Sequence, residues 1–222
     1  MPEPDAGRQR GTRPVQGPAQ AWLGLPPPPD PLPPRPLAPS RLAEEPAVLA
    51  PLKGAGDLRF RRGRLVHRLL QTLPDLPAEA WPDAAHRFLA SRAADLPPTA
   101  QQEIAAETLG LLADPAFAPL FGPGSRAEAP IVGEIAPGLV LSGQIDRLLV
   151  TERDVLLVDF KTNRPSPPTP AETPEPYLRQ MAAYRHALGK IYPGKSIRCA
   201  LVWTEGPRLM ELPDAVLAGY AP

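Results

Sequence analysis

Apolar positions recur along this chain with two different periods, and the change of period marks out its elements. Over 138–146, Leu139, Leu141, Gly143 and Ile145 alternate with Val140, Ser142, Gln144 and Asp146, the period-two pattern of a strand. The stretch 154–161 repeats the pattern, with Val155, Leu157, Asp159 and Lys161 on one face and Leu156, Val158 and Phe160 on the other. Residues 150–154 between them have the length and polarity of a hairpin connection. Two further strands are predicted at 197–204 and 208–212. Helical spacing takes over elsewhere. Leu65, Val66, Leu69, Leu70 and Leu73 form one stripe; Tyr177, Gln180, Met181, Tyr184 and Leu188 form another, with Gln180 its odd polar member. Alanine-rich segments at 82–94 and 99–112 add two more helices, and Thr99 to Gln102 has the form of a capping box. The predicted architecture is α+β, with an N-terminal helical arm packed on a small, mixed central sheet.

Composition adds a third region. Thirty-five of the 222 residues are proline, many of them in the first fifty. The run 25–37 offers too few N–H donors for helix or sheet, so an extended, disordered, polyproline-like linker is expected there. A second proline cluster over 165–176 predicts a stiff exposed loop beside the helix that carries Gln180. The expected organisation is a proline-rich linker at 1–39, a helical arm at 40–125, a catalytic core at 126–214 and a tail at 215–222. Cys199 is the sole cysteine, which excludes an internal disulfide, an iron–sulfur cluster and a thiolate zinc site. Nothing has the form of a signal peptide or of a bilayer-spanning segment, so no membrane is expected and a cytoplasmic location is the default. Twenty-four basic residues balance twenty-four acidic ones, so no global positive field points to nucleic acid. Five arginines nevertheless gather at positions 59, 61, 62, 64 and 68, where they can neutralise phosphates without reading sequence.

The chemistry-bearing residues lie at the ends of the two apolar strands. Asp159 and Lys161 would project side by side from a largely buried strand, where unpaired charge is costly and usually implies a partner or a metal. If the strands pair antiparallel, Asp146 and Asp159 converge on one ion. Mg²⁺ takes hard oxygen ligands, commonly one or two carboxylates plus substrate phosphate. The main-chain carbonyl of Phe160 can complete that set, and Lys161 can orient an attacking water and offset charge on the phosphate. The plainer reading is a solvated Asp and Lys, with Asp146 paired to Arg147 or Arg153.

These residues resemble the PD-(D/E)xK nucleases, and more closely the C-terminal nuclease domain of AddA and RecB helicase–nucleases. Gly143-Gln-Ile-Asp146-Arg147 is similar to that group's G-x-[IV]-D-R strand, Asp159-Phe-Lys161-Thr162 to its D-[FY]-K-T strand, and Gln180 with Tyr184 to its Q-x-x-x-Y helix. Gly63 and His67 look like its G-x-x-x-H helix, in which the histidine faces the metal. Glu128, in an E-x-P setting, matches a further family glutamate; Glu134, beside Gly133 and a Pro-Gly turn, is the competing candidate and is expected in a hairpin. The resemblance spans about residues 37 to 213. It implies a restriction-endonuclease-like fold and a DNA exonuclease working through metal-activated water. Mg²⁺ is the expected ion, and Mn²⁺ suits the imidazole. Asp146, Asp159, Lys161, Gln180 and Tyr184 would then be catalytic, with His67, Glu128, Asp146, Asp159 and Phe160 around the ion and Gln180 and Tyr184 lining the substrate side. The implied setting is double-strand break repair with an AddB-like subunit and a helicase motor. The chain then corresponds to an AddA-like portion without the motor. The alternative is a catalytically inactive nuclease-like module that binds DNA or a partner subunit. Residues 189–196 satisfy the P-loop expression letter for letter, but they follow a helix and precede a strand, the reverse of what a phosphate cradle needs. Gly189 there reads as a helix cap and Tyr192-Pro-Gly194 as a turn.

Overall fold

The computed structural model describes residues 35–37 and 55–220 of the chain. The disorder expected of the proline-rich segment therefore falls, apart from Arg35–Leu37, outside the described residues. In chain order the elements are β1 (Arg35–Leu37), α1 (Ala55–Thr72), α2 (Trp81–Arg92), α3 (Pro98–Ala113), α4 (Ala118–Phe121), β2 (Ser125–Ala136), β3 (Leu139–Val150), β4 (Asp154–Lys161), α5 (Glu175–Ile191), β5 (Ser196–Trp203), β6 (Arg208–Leu212) and α6 (Asp214–Leu217).

The strands make one mixed sheet organised around β3. β2 runs antiparallel along most of β3, through pairs such as Ala127↔Arg147 and Val132↔Ser142. On the other edge of β3, β1 pairs parallel with Leu139–Leu141 and β4 pairs antiparallel from Arg147↔Val158 to Val150↔Val155. The hairpin predicted between β3 and β4 is present. β4 and β5 are parallel from Asp154↔Ser196 to Lys161↔Trp203, and β6 closes the sheet antiparallel to β5. One expectation needs correcting: the proline-rich run was predicted to stay out of any sheet, yet its last residues form β1. Pro36 donates no hydrogen bond, which an edge strand tolerates.

Both faces of the sheet are covered, as the alternation along β4 requires. Val155 and Leu157 pack with Met181, Tyr184 and Leu188 of α5. Val158 and Phe160 point the other way, into a core built with Val66, Leu69, Leu89 and Ile104 of the helical arm. Each fully buried leucine or phenylalanine contributes on the order of 1.5–3 kcal/mol, so these two layers hold the ends of β3 and β4 in place. The expected capping box at Thr99 does not form. Pro97 and Pro98 start α3, Thr99 lies inside it, and no side chain caps it. Gln101 instead donates Nε2 to the carbonyls of Ala93 at 3.0 Å and Leu96 at 3.1 Å, which ties α3 to the end of α2.

β3 changes face at Asp146. Ile145 packs in the α5 core, whereas Arg147, two residues on, donates Nη2 to the Leu70 carbonyl at 2.6 Å and sits over the Phe121 ring on the arm side. Opposite Asp146, Glu128 holds φ at 48°, and the 128/146 pair is missing from an otherwise regular stretch of ladder. A non-glycine residue in that conformation is uncommon and often functional. The P-loop-like string spans the end of α5 and the start of β5; Lys195 donates Nζ to the Glu152 carbonyl at 2.7 Å and no helix follows.

Candidate metal centre

Three elements bring the charged groups together. α1 supplies His67, the break in the β2–β3 ladder supplies Glu128 and Asp146, and the end of β4 supplies Asp159 and Lys161. Gly63 explains how α1 comes so near. A Cβ there would lie 3.1 Å from Thr162 Oγ1, so the bare backbone lets the helix rest against the end of β4. One turn later on the same face, His67 Nδ1 lies 3.4 Å from Asp146 Oδ1. Asp146 Oδ2 accepts a hydrogen bond from the Phe160 N–H at 2.7 Å. In a strand, one residue's N–H and C=O point to the same edge, so the Phe160 carbonyl also faces the Asp146 side.

His67, Glu128 and Asp146 each offer one ligand atom, and these atoms lie within 4.8 Å of one another. Asp159 is not a member of that group. Its carboxylate is held by Lys161 Nζ, 2.7 Å from Oδ2, and by Gln180, which donates Nε2 to Oδ1 at 3.1 Å. Lys161 in turn donates to Gln180 Oε1 at 3.2 Å and sits 3.9 Å from the centre of the Tyr177 ring. Asp159 thus lines the cleft with both carboxylate oxygens already engaged, Oδ2 by Lys161 and Oδ1 by Gln180. An imidazole nitrogen and two convergent carboxylates, with Asp159 lining the same cleft, form a donor set suited to Mg²⁺ or Mn²⁺.

The electrostatics fit a site built around a cation. Burial alone would lower the His67 pKa, but the charge and hydrogen bond of Asp146 outweigh it and raise the value to about 9. Burial would raise that of Asp146; the charge and hydrogen bond of His67, with the Phe160 N–H and Lys161, hold it below the usual carboxylate range. Asp159 goes the other way, pushed up by burial and by Asp146 against the pull of Lys161. Two neighbouring carboxylates are thus driven apart, as expected where both cannot ionise freely. Burial and the Asp146 charge also raise Glu128, with His67 and Arg68 opposing. The plainer pairing of Asp146 with Arg147 is not made, since the guanidinium points to the arm.

Tyr184 departs from expectation. It is 1% exposed and does not line the cleft. Its hydroxyl donates to the Gln144 carbonyl at 3.1 Å and accepts from the Gln144 N–H at 3.3 Å, filling the backbone positions left open where β1 and β4 diverge. Gly143 leaves room for the ring: an added Cβ would come within 2.5 Å of the hydroxyl and 2.8 Å of Cε1. Tyr184 is therefore a strut under the Asp146 strand. Glu134 lies at the β2–β3 hairpin, where its Oε1 accepts from the Gly138 N–H at 2.8 Å, well apart from the ligand group.

One contributor was invisible in the sequence. Glu107 of α3, almost wholly buried, binds Arg62 of α1, the hydroxyl of Thr204, and Arg164 at 3.1 Å. The Thr204 N–H donates to the Lys161 carbonyl at 3.0 Å. A single carboxylate thereby links the histidine helix, the end of β5 and the chain just beyond Lys161. No spacing signal could have found it, because its partners lie 45, 57 and 97 residues away.

The cleft over these groups has a volume of about 960 Å³. Arg59, Phe60, Arg64 and Arg68 of α1 form one wall; Pro176, Tyr177 and Gln180 form the opposite one. Among the described residues no helix is long and apolar enough to cross a membrane.

A candidate exonuclease from Eubacterium rectale is similar in structure at a TM-score of 0.45 and 12% identity, over 68% of this chain and 62% of that one. The protein SSO0001 is similar at 0.34 and 12%, over 74% and 82%. The chain thus spans less than two thirds of the first. No curated protein matches it in sequence. Residues 42–212, most of its length, match the model of the PD-(D/E)XK nuclease superfamily, and the chain belongs to that superfamily.

Proposed function

We propose that this chain is a divalent-metal-dependent DNA nuclease that hydrolyses phosphodiesters. The observation that carries this reading is the convergence of His67, Glu128 and Asp146 in the cleft that also holds Asp159 and Lys161. Nucleases of the superfamily use divalent metals, and a bound ion there supplies Lewis-acid activation and charge stabilisation at the phosphate. His67, Glu128, Asp146 and the Phe160 carbonyl would hold it, with Asp159 joining them as Lys161 turns to the substrate. Lys161 would place its ammonium against the attacked phosphate and orient the water, after exchanging part of its contact with Asp159 for the substrate. Gln180 fixes both Asp159 and Lys161 from α5, and Tyr184 acts beneath them, on the strand.

The finer assignment rests on the resemblance of the three motifs. In this reading the chain is the exonuclease portion of an AddA-type helicase–nuclease, with Mg²⁺ the working ion and Mn²⁺ an effective substitute. It would act on DNA ends in double-strand break repair, in the cytoplasm, beside an AddB-like subunit and a helicase motor. Residues 1–39 would serve as the linker, 40–125 as the arm carrying His67, 126–214 as the nuclease core and 215–222 as a tail.

The test is incubation with linear single-stranded DNA. Cleavage is expected with Mg²⁺ or Mn²⁺, and none in EDTA or in the Asp159→Ala variant. Equal cleavage by both proteins, or none by either with several metals and the partner subunit present, would favour a DNA-binding module instead.

A further inference from the structure

A second cavity, of about 520 Å³, lies between α1 and α2, lined by Arg61, Arg64, Leu65, Arg68, Phe88 and Arg92 among others, with no acidic side chain in its lining. It adjoins the metal cleft. The α1 residues facing the cleft include Phe60, Gly63, His67 and Gln71, and those facing the groove include Arg61, Leu65 and Thr72; at 3.6 residues per turn these form two neighbouring stripes. Arg64 and Arg68 fall between the stripes and line both cavities. They are exposed and one turn apart, so two guanidinium groups stand in a row on the crest separating the groove from the ligands.

The far wall is braced. Arg61 pairs with Asp95 and donates Nη2 to the Arg92 carbonyl at 3.1 Å, which fixes the end of α2 against α1. Arg92 itself is exposed. Phe60, which lines the cleft beside these arginines, keeps 48% of its surface open to solvent. An exposed ring next to a row of guanidinium groups suits a nucleic-acid strand, whose bases stack while its phosphates are neutralised.

We infer that the nucleic-acid strand held at the metal centre runs across α1 into the α1–α2 groove. Its phosphates lie on Arg64, Arg68 and Arg92, and a base beside the cleft stacks on Phe60. This rests on the nuclease reading, to which it adds a path for the strand. Phosphate contacts and a stacked base carry no sequence information, so the contact described is sequence-independent.

The experiment measures binding of a fluorescein-labelled single-stranded oligonucleotide by fluorescence anisotropy, with Ca²⁺ replacing Mg²⁺ to prevent turnover. Arg64→Gln and Arg68→Gln should each weaken binding about tenfold and make the log–log salt dependence shallower by roughly 0.7 per lost phosphate contact. Phe60→Ala should weaken it about ten- to a hundredfold with the salt slope kept, because stacking releases no counterions. Arg87, exposed on α2 and lining neither cavity, provides the control; Arg87→Gln should bind like the wild type. Binding by the Arg64→Gln/Arg68→Gln double variant within twofold of wild type, while the wild type still cuts DNA in Mg²⁺, would overturn the path and leave the nuclease reading standing. So would an equal loss in Arg87→Gln, which would mean a general effect of charge. A wild-type chain that neither binds nor cuts DNA would overturn both.

Discussion

Replacing Asp146 with asparagine is expected to lower metal-dependent DNA cleavage about a thousandfold while leaving the fold in place. A bound divalent ion contributes several kcal/mol to such hydrolysis, and about 4 kcal/mol corresponds to three decades of rate. The asparagine amide keeps an oxygen for the Phe160 N–H, so the link between β3 and β4 survives. What disappears is the charge. The His67 pKa stands at about 9 because the charge and hydrogen bond of Asp146 overcome burial. With the charge gone, burial dominates and the imidazole should titrate below its ordinary 6.5. The linkage follows in sign. In the metal-free protein, the raised His67 value contributes stability fully present below pH 6.5 and lost as the pH rises through about 9. The variant should lack that dependence. Histidine NMR titration beside a cleavage assay reads both effects; full activity with an unmoved His67 titration would remove Asp146 from the site.

The second large effect concerns stability. Gly143→Ala places a methyl group 2.5 Å from the Tyr184 hydroxyl and 2.8 Å from its ring. The ring is enclosed and cannot swing away, and the hydroxyl is the hydrogen-bond partner of the Gln144 backbone. Overpacking of this kind costs about 1–3 kcal/mol, and displacing the hydroxyl adds about 1–3 kcal/mol for the unsatisfied peptide groups. The variant should therefore be less stable by roughly 2–6 kcal/mol in urea denaturation. A smaller residue at the other position should relieve the clash, so Tyr184→Leu combined with Gly143→Ala is expected to lose less than the two single changes summed. Strict additivity, or a neutral Gly143→Ala, would show that glycine and tyrosine do not depend on each other as the contact implies.

That pair also shows what the sequence does and does not disclose. Period-two alternation put Asp146 and Asp159 on the strands that carry them, because a strand buried on both faces must sort its residues between two cores, and Val155 and Val158 do so. The helical stripe located Gln180 for the same reason. The functions of Gly143 and Gly63 were not legible, since each lies in an approach between segments far apart in the chain. Tyr184, expected at the substrate side, is drawn under β3 by peptide groups that lost their strand partner where β1 and β4 part. Asp159, expected on the ion with Asp146, spends its carboxylate largely on Lys161 and Gln180. The face change at Asp146 and the positive φ of Glu128 leave no periodic trace at all. Local patterning fixes which residues lie on a strand; the departures from regular pairing decide which way they point.

The most direct test of the metal centre is diffraction from crystals soaked in Mn²⁺, with an anomalous difference map at the manganese edge. The account predicts a peak within bonding distance of Asp146, Glu128 and His67, in the cleft that Asp159 and Lys161 also line. A peak elsewhere, or an empty cleft in a protein that still cuts DNA in EDTA, would contradict it.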